Sequence, residues 1–233
     1  MTKLCIDLCS GLGGFSQAFV DAGWEVVTVD IDPSFNPTVC ADILTLSASD
    51  IETKTKLRAF SAYEKVVVVA SPPCERFSRA HALWPKKGIR KALEIAGACI
   101  ELIINIQPKY WCLENPKARL RWFIGEPPHS VQLSDYGHNG AGAGRRRNEW
   151  GTAKPTDLWG NIPFPMVEAQ RLVKLRGPNE GGPRAKKAEM PYGLSQAILE
   201  AVDPEIKLAG EPSSKAQSPS APLHPPKEVV KTD

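Results

Sequence analysis

The sequence lacks most of the features that would place it in a special class. No apolar run approaches the about 20 residues a bilayer-spanning helix needs, so no membrane association is expected. Met1-Thr2-Lys3 leads straight into a strand-like pattern instead of a signal peptide. The six cysteines, at 5, 9, 40, 74, 99 and 112, include no C-x-x-C pair. That spacing excludes a disulfide framework and a zinc site, and it suits a reducing cytoplasm. The four histidines are scattered without ligand spacing, so no metal is expected. Internal repeats are absent, and neither sign of charge dominates, the net value being +3.

What remains is the composition of an ordinary globular chain, 42% hydrophobic and 24% charged over 233 residues. That length suits one domain with a sizeable core plus trimmings. Basic residues do cluster, at Lys86-Lys87, Arg145-Arg146-Arg147 and Lys186-Lys187. Such runs are either solvated faces or contacts to nucleic-acid phosphate.

Lys3 to Leu8 reads as an apolar strand that ends in Cys9-Ser10-Gly11-Leu12-Gly13-Gly14-Phe15. The glycines allow a tight turn, and Ser16 to Ala22 then reads as a helix stopped by Gly23. A second strand, Trp24 to Val29, runs into the acids Asp30 and Asp32. Strand, glycine turn, helix, strand and acid is the layout of a nucleotide-type cofactor site, in which the acid accepts from ribose hydroxyls. Ser16 or Gln17 stands where the third glycine of the dinucleotide fingerprint would fall, which favours adenosylmethionine over NAD. Asp42, after an extended Thr38 to Ala41, is either a third cofactor contact or a solvated loop acid. The spacing predicts helices over Asp50 to Phe60 and Lys86 to Ile106, the latter with Cys99 on its core face.

The stretch with the sharpest chemistry follows Val66 to Ala70, a β-branched run typical of a strand buried on both faces. Ser71-Pro72-Pro73-Cys74-Glu75-Arg76-Phe77-Ser78 must turn, because two prolines can neither extend the strand nor open a helix at once. Cys74 is therefore set at the carboxyl end of a central strand, where open α/β sheets bind ligands. Alternatively it is a small buried loop residue. Pro108 to Leu113 reads as another buried strand, ending at Glu114-Asn115-Pro116. Glu114 either points into the same cleft as Cys74 or caps a helix beginning near Pro116. Val131 to Leu133 is a short strand, and 138–151 is a glycine- and arginine-rich loop. Lys154 to Trp159 is ordered, and Pro191 to Val202 reads as a closing helix with Leu194, Ile198 and Leu199 inward. From about Leu208, proline, serine and lysine dominate, as in a disordered tail.

Taken together these stretches resemble the cytosine-5 methyltransferase family, over roughly residues 3 to 204. Asp7 to Gly14 matches its first motif, with Cys9 where an aromatic is usual. Asp30 and Asp42 match the acids after its second and third strands. Pro73-Cys74 with Phe77-Ser78 matches the nucleophile loop, with Glu75 in place of glutamine, and Glu114-Asn115 matches the Glu-Asn pair, with Pro116 in place of valine. Tyr136-Gly137, Arg145 to Arg147 and Lys154 fall, with an insertion, where the family carries Gln-x-Arg-x-Arg. Met190-Pro191 and the closing helix are similar to its last motif.

The resemblance implies an α/β, Rossmann-like class I fold, a mostly parallel sheet with helices on both faces, over residues 1–206. It implies transfer of a methyl group from S-adenosyl-L-methionine to carbon 5 of a flipped cytosine in DNA. RNA, amino-group methylation and a catalytically silent homologue stand as alternatives. Cys74 would be the nucleophile, and Glu114 would hold the cytosine ring nitrogen. Arg145, Arg147 or Lys154 would stabilise the adduct. Asp7, Cys9, Gly11, Gly13, Gly14, Phe15, Asp30, Ile31, Asp42, Ile43 and Pro72 would face the cofactor. Ser71, Pro73, Phe77, Ser78, Asn115 and Arg146 would face the nucleic acid. Residues 162–188 are too few for the family's usual target-recognition region, so either the enzyme reads a short sequence context or a separate recognition subunit supplies the discrimination. Residues 207–233 would be a tail.

Overall fold

The computed structural model describes residues 2–77, 88–136, 155–163 and 190–206. Its centre is two parallel strands, β1 (Lys3–Leu8) and β4 (Lys65–Ala70), paired in register from Lys3↔Lys65 to Leu8↔Ala70. Both are apolar almost throughout because both faces are covered. Leu4, Ile6, Leu8, Val66, Val68 and Ala70 face one helical layer, and Cys5, Val67 and Val69 face the other. The period of two decides which layer each side chain enters.

On one side of β1 lie β2 (Glu25–Asp30) and β3 (Val39–Cys40), both parallel. Beyond β4 come the parallel β5 (Tyr110–Pro116), then β7 (Pro155–Gly160) and β6 (His129–Gln132), with β7 antiparallel to both neighbours. The order is β3-β2-β1-β4-β5-β7-β6. Strand order reverses between β1 and β4, and the crevice outside their carboxyl ends is the ligand position of such sheets.

Helices α2 (Ala48–Thr55) and α3 (Ile89–Ile106) cover one face, and α1 (Gln17–Asp21) and α5 (Tyr192–Val202) cover the other. A short α4 (Arg121–Ile124) follows β5. In α3 the buried residues Ala92, Ala96, Cys99, Leu102, Ile103 and Ile106 recur at three- and four-residue intervals, so one stripe meets the sheet. In α5 Leu194, Ile198 and Leu199 are fully buried, as the spacing predicts.

Several boundaries differ from expectation, and the larger differences have local reasons. Helix α2 starts at Ala48, not Asp50, because Ser47 and Asp50 form a capping box, and left-handed Lys56 ends it. Helix α3 starts at Ile89, following Gly88 at φ 89°, and the expected start at Lys86 lies outside the described residues. No helix begins near Pro116, because β5 runs through that residue, paired with Thr156 of β7, and α4 starts only at Arg121. The capping role for Glu114 is therefore set aside.

A clasp at the amino edge of the sheet fixes α5. Asp203, just past its end, accepts from Lys3 at 2.7 Å and Lys65 at 2.9 Å. Burial pushes the Asp203 carboxyl up, but the two ammonium groups outweigh it and hold it below its ordinary value. Among the described residues no helix is long and apolar enough to cross a membrane.

Candidate active site

The turn after β1 is built from three residues in the left-handed region: Cys9 (φ 58°), Gly11 (φ 52°) and Gly13 (φ 76°). A Cβ at either glycine would meet nothing within 4 Å, so these glycines are required by backbone conformation and leave an open cradle. The turn is tied to β2 by Ser10 N–H donating to Val29 O (3.0 Å) and Gly11 N–H donating to Asp30 Oδ2 (2.8 Å). Asp30 Oδ1 accepts from Asp32 N–H (3.0 Å). Each carboxylate oxygen keeps a second acceptor site for a ligand hydroxyl.

Asp32, by contrast, is spent on its own loop: it caps the turn at 33–35 by accepting from Ser34 N–H at 2.9 Å. Asp42 caps the next turn by accepting from Leu44 N–H at 3.0 Å. Of the two expected apolar neighbours, Ile31 is 64% exposed beside Asp30, whereas the Ile43 side chain is buried in the core. Only the backbone of Ile43 is left to meet a ligand. Phe15 is likewise buried, in the α1/α5 layer, and Gly14 lies between it and the cradle.

Asp7 lies beneath this turn, fully buried. Its Oδ2 accepts from Ser16 Oγ at 2.7 Å, while Oδ1 has no hydrogen-bond partner among the described residues. Burial pushes the carboxyl up to about 7; the Ser16 bond opposes this and the Asp30 charge adds to it. The folded chain thus holds a proton that the unfolded chain releases near pH 4. Stability from this group is greatest below about pH 4 and declines as pH rises through about 7, by on the order of 4 kcal/mol. Asp7→Asn is expected to flatten that slope and raise stability at pH 8, as read by denaturant titration across pH. An open glycine cradle, a strand-end acid and, beneath them, a buried carboxyl whose Oδ1 lacks a partner among the described residues fit a ligand that brings ribose hydroxyls and a positive charge, which would favour ionisation of Asp7. S-adenosyl-L-methionine has both.

The second wall is the loop after β4. Ser71 N–H donates to Leu8 O (3.0 Å), extending the β1–β4 ladder by one residue. Pro72 is buried, Pro73 exposed, Cys74 half-buried, and Glu75 and Arg76 exposed. The chain closes a turn through Phe77 N–H to Cys74 O (3.0 Å). Phe77 is fully buried in the core and anchors the loop from below. Glu114 is one residue beyond the Ala70↔Leu113 pair, level with Ser71, and is buried. Asn115 is also buried and donates from Nδ2 to Pro72 O at 2.9 Å, binding the two loops together. Ser71 Oγ and Asn115 Oδ1 are buried and lack partners among the described residues. Ser78, Arg145, Arg146, Arg147 and Lys154 lie outside the described residues.

Two residues escaped the sequence reading. Ser195 in α5 donates to Phe15 O (2.9 Å) and accepts from Ala18 N–H (3.1 Å), stapling the last helix onto the first turn. Its one signal is a hydroxyl inside an apolar helical stripe. Ser16, under Asp7, is the other.

Sheet order, switch-point crevice and cradle define a Rossmann-like α/β fold with a nucleotide-type cofactor site, the class to which the adenosylmethionine-dependent methyltransferases belong. Residues 4–120 match the family model described as "C-5 cytosine-specific DNA methylase". A Frog virus 3 (isolate Goorha) protein named "Probable DNA (cytosine-5)-methyltransferase" is 33% identical over 171 residues, covering 67% of this chain and 70% of that protein. The type II methyltransferase M.XorII of Xanthomonas oryzae pv. oryzae is 26% identical over 147 residues, 56% of this chain but 33% of the relative. Among solved structures, the S. pombe Dnmt2 methyltransferase aligns with a TM-score of 0.39 at 16% identity, over 67% of this chain and 49% of that one. This chain belongs to the C-5 cytosine-specific DNA methylase family. It spans most of the viral relative and about a third of the bacterial one.

Asp30→Ala is expected to weaken adenosylmethionine binding by about 1–3 kcal/mol, the cost of unpaired hydroxyl donors plus a released Gly11 amide. Calorimetry checks this, and an unchanged affinity would move the ribose contact away from Asp30.

Proposed function

We propose that this chain methylates carbon 5 of cytosine in DNA through a transient covalent bond to Cys74. The observation that carries this reading is the fastening of two loops at the switch point. Asn115 holds Pro72 beside the half-buried Cys74, and Glu114 is buried on the neighbouring strand end. Carbon 5 of cytosine is a poor nucleophile. Addition of the Cys74 thiolate to carbon 6 makes carbon 5 electron-rich, while Glu114 donates a hydrogen bond or proton to the ring nitrogen. S-adenosyl-L-methionine supplies the electrophilic methyl group. Loss of the carbon-5 proton then expels the thiolate and restores the aromatic ring. A base reaching a buried carboxyl must leave its stack, so the target cytosine is flipped.

A loop built as Ser-Pro-Pro-aromatic would instead present a stacking ring to an amino-group substrate. The thiol of Cys74 replaces that ring, which disfavours the amino reading. Residues 1–206 form the catalytic unit in this account and 162–188 a reduced recognition segment, with a separate subunit supplying further sequence discrimination.

Arg145, Arg146 and Arg147 are assigned to nucleic-acid phosphate and to the adduct, with Lys154 as a further cation. Changing all three arginines to alanine should weaken DNA binding across all sequences and flatten its salt dependence by about one to three units. Cofactor affinity should not change. Normal binding and turnover would make the run a solvated face.

The test of the substrate is methyl transfer from labelled adenosylmethionine into duplex DNA and into tRNA side by side. Label in DNA is expected. Label confined to tRNA would overturn the DNA assignment.

A further inference from the structure

We propose that Cys9 and Cys99 are a modification site, a dithiol that a two-electron oxidant closes into a disulfide joining the cofactor turn to α3. The inference rests on reading the turn from Cys9 to Gly14 as the cofactor site. The two sulfur atoms lie 3.9 Å apart although 90 positions separate them in the chain. Both are thiols in this structure. A disulfide requires about 2.05 Å, so closure asks for an approach of about 2 Å.

The two partners differ in how far they can move. Cys99 sits fully buried in the middle of an 18-residue helix, packed among Ala96, Leu102 and Ile103. Cys9 is only half-buried and stands at the exit of β1 with φ 58°, followed by Gly11 and Gly13, so the turn is the element that gives. Where the family usually carries an aromatic at this position, the smaller thiol here meets another thiol. On closure the two S–H bonds are lost and one S–S bond forms. The two electrons and two protons pass to the oxidant, and hydrogen peroxide leaves as two waters.

Displacing Cys9 pulls directly on Ser10 and Gly11, and so on the Ser10–Val29 and Gly11–Asp30 hydrogen bonds that hold the cradle. The oxidised protein therefore binds adenosylmethionine more weakly. The rate has a direction as well. The contact with Cys99, then burial, then the charges of Asp30 and Asp7 push the Cys9 thiol up, so little thiolate is present at neutral pH. Oxidation is slow there and accelerates as pH rises.

The experiment uses the full chain carrying Cys74→Ser, which keeps the proposed nucleophile out of thiol exchange. The protein is treated with hydrogen peroxide at pH 8.5, mapped by non-reducing peptide mass spectrometry, and titrated with adenosylmethionine before and after dithiothreitol. The expected result is a peptide linked through Cys9 and Cys99, with affinity falling at least about tenfold and returning on reduction. Cys99→Ala, and Cys99→Val as a second packing variant, should bind adenosylmethionine normally and lose the effect of peroxide. Peroxide that oxidises the exposed Cys40 yet leaves Cys9 and Cys99 as thiols would overturn the proposal. A linked peptide with unchanged affinity would do the same. Failure of the untreated protein to bind adenosylmethionine would count against the cofactor reading instead, since the peptide map is scored independently of binding.

Discussion

Replacing Cys74 with serine is expected to reduce methyl transfer by about 10⁴-fold or more while leaving adenosylmethionine affinity essentially unchanged. A hydroxyl at this position is far less ionised than a thiol, and serine cannot add to carbon 6 at a useful rate. The substitution is nearly isosteric in a half-buried loop whose geometry is held by other groups, the Asn115–Pro72 and Phe77–Cys74 hydrogen bonds among them. The loss is therefore chemical and not structural. DNA carrying 5-fluorocytosine should trap a covalent complex with the wild-type chain in the presence of adenosylmethionine, because fluorine blocks the final elimination. The Cys74→Ser chain should give none. An active serine variant would remove the covalent mechanism altogether.

The second large effect is expected at Glu114. Glu114→Gln preserves size and one acceptor but removes the acidic proton, and turnover should fall by about 10²–10⁴-fold. Because the residue is buried on β5 between β4 and β7, the glutamine keeps the packing and the strand pairing. DNA and cofactor affinities should change much less than the rate. A variant that loses both affinities in proportion would show that Glu114 shapes the crevice and does not act in the chemical step.

Much of this architecture is legible in the amino-acid sequence because of how the sheet is covered. The runs in β1, β4 and β5 are continuous since both faces are buried, and the stripe on α3 has helical spacing since one face is buried. Local hydrogen bonds defeat the same reading. The run from Ser47 to Thr55 is read as starting at Asp50 when spacing alone is followed, whereas the Ser47–Asp50 box, a pattern present in the sequence, sets the start at Ala48. By layout alone Asp30 and Asp32 are equivalent; the family resemblance picks Asp30, and Ser34 separates the two in the structure by engaging Asp32. Longer-range pairing is less legible still. Glu114 is freed from a capping role only by β7, which arrives more than forty residues later and continues the strand past it. Ser195 meets Phe15 across 180 positions, and Cys9 meets Cys99 across 90. The burial of the Phe77 and Ile43 side chains is not legible in the sequence either, since each anchors a loop or turn whose fold is set by distant strands.

The central claim is the atom that receives the methyl group. It is tested most directly by incubating duplex DNA with the protein and adenosylmethionine bearing a deuterated methyl, then digesting to nucleosides for mass spectrometry against authentic standards. Labelled 5-methyl-2′-deoxycytidine is expected, and none when Cys74→Ser replaces the wild-type chain. Label on the exocyclic nitrogen of cytosine or adenine, or no label from a chain that binds both DNA and adenosylmethionine, would contradict it.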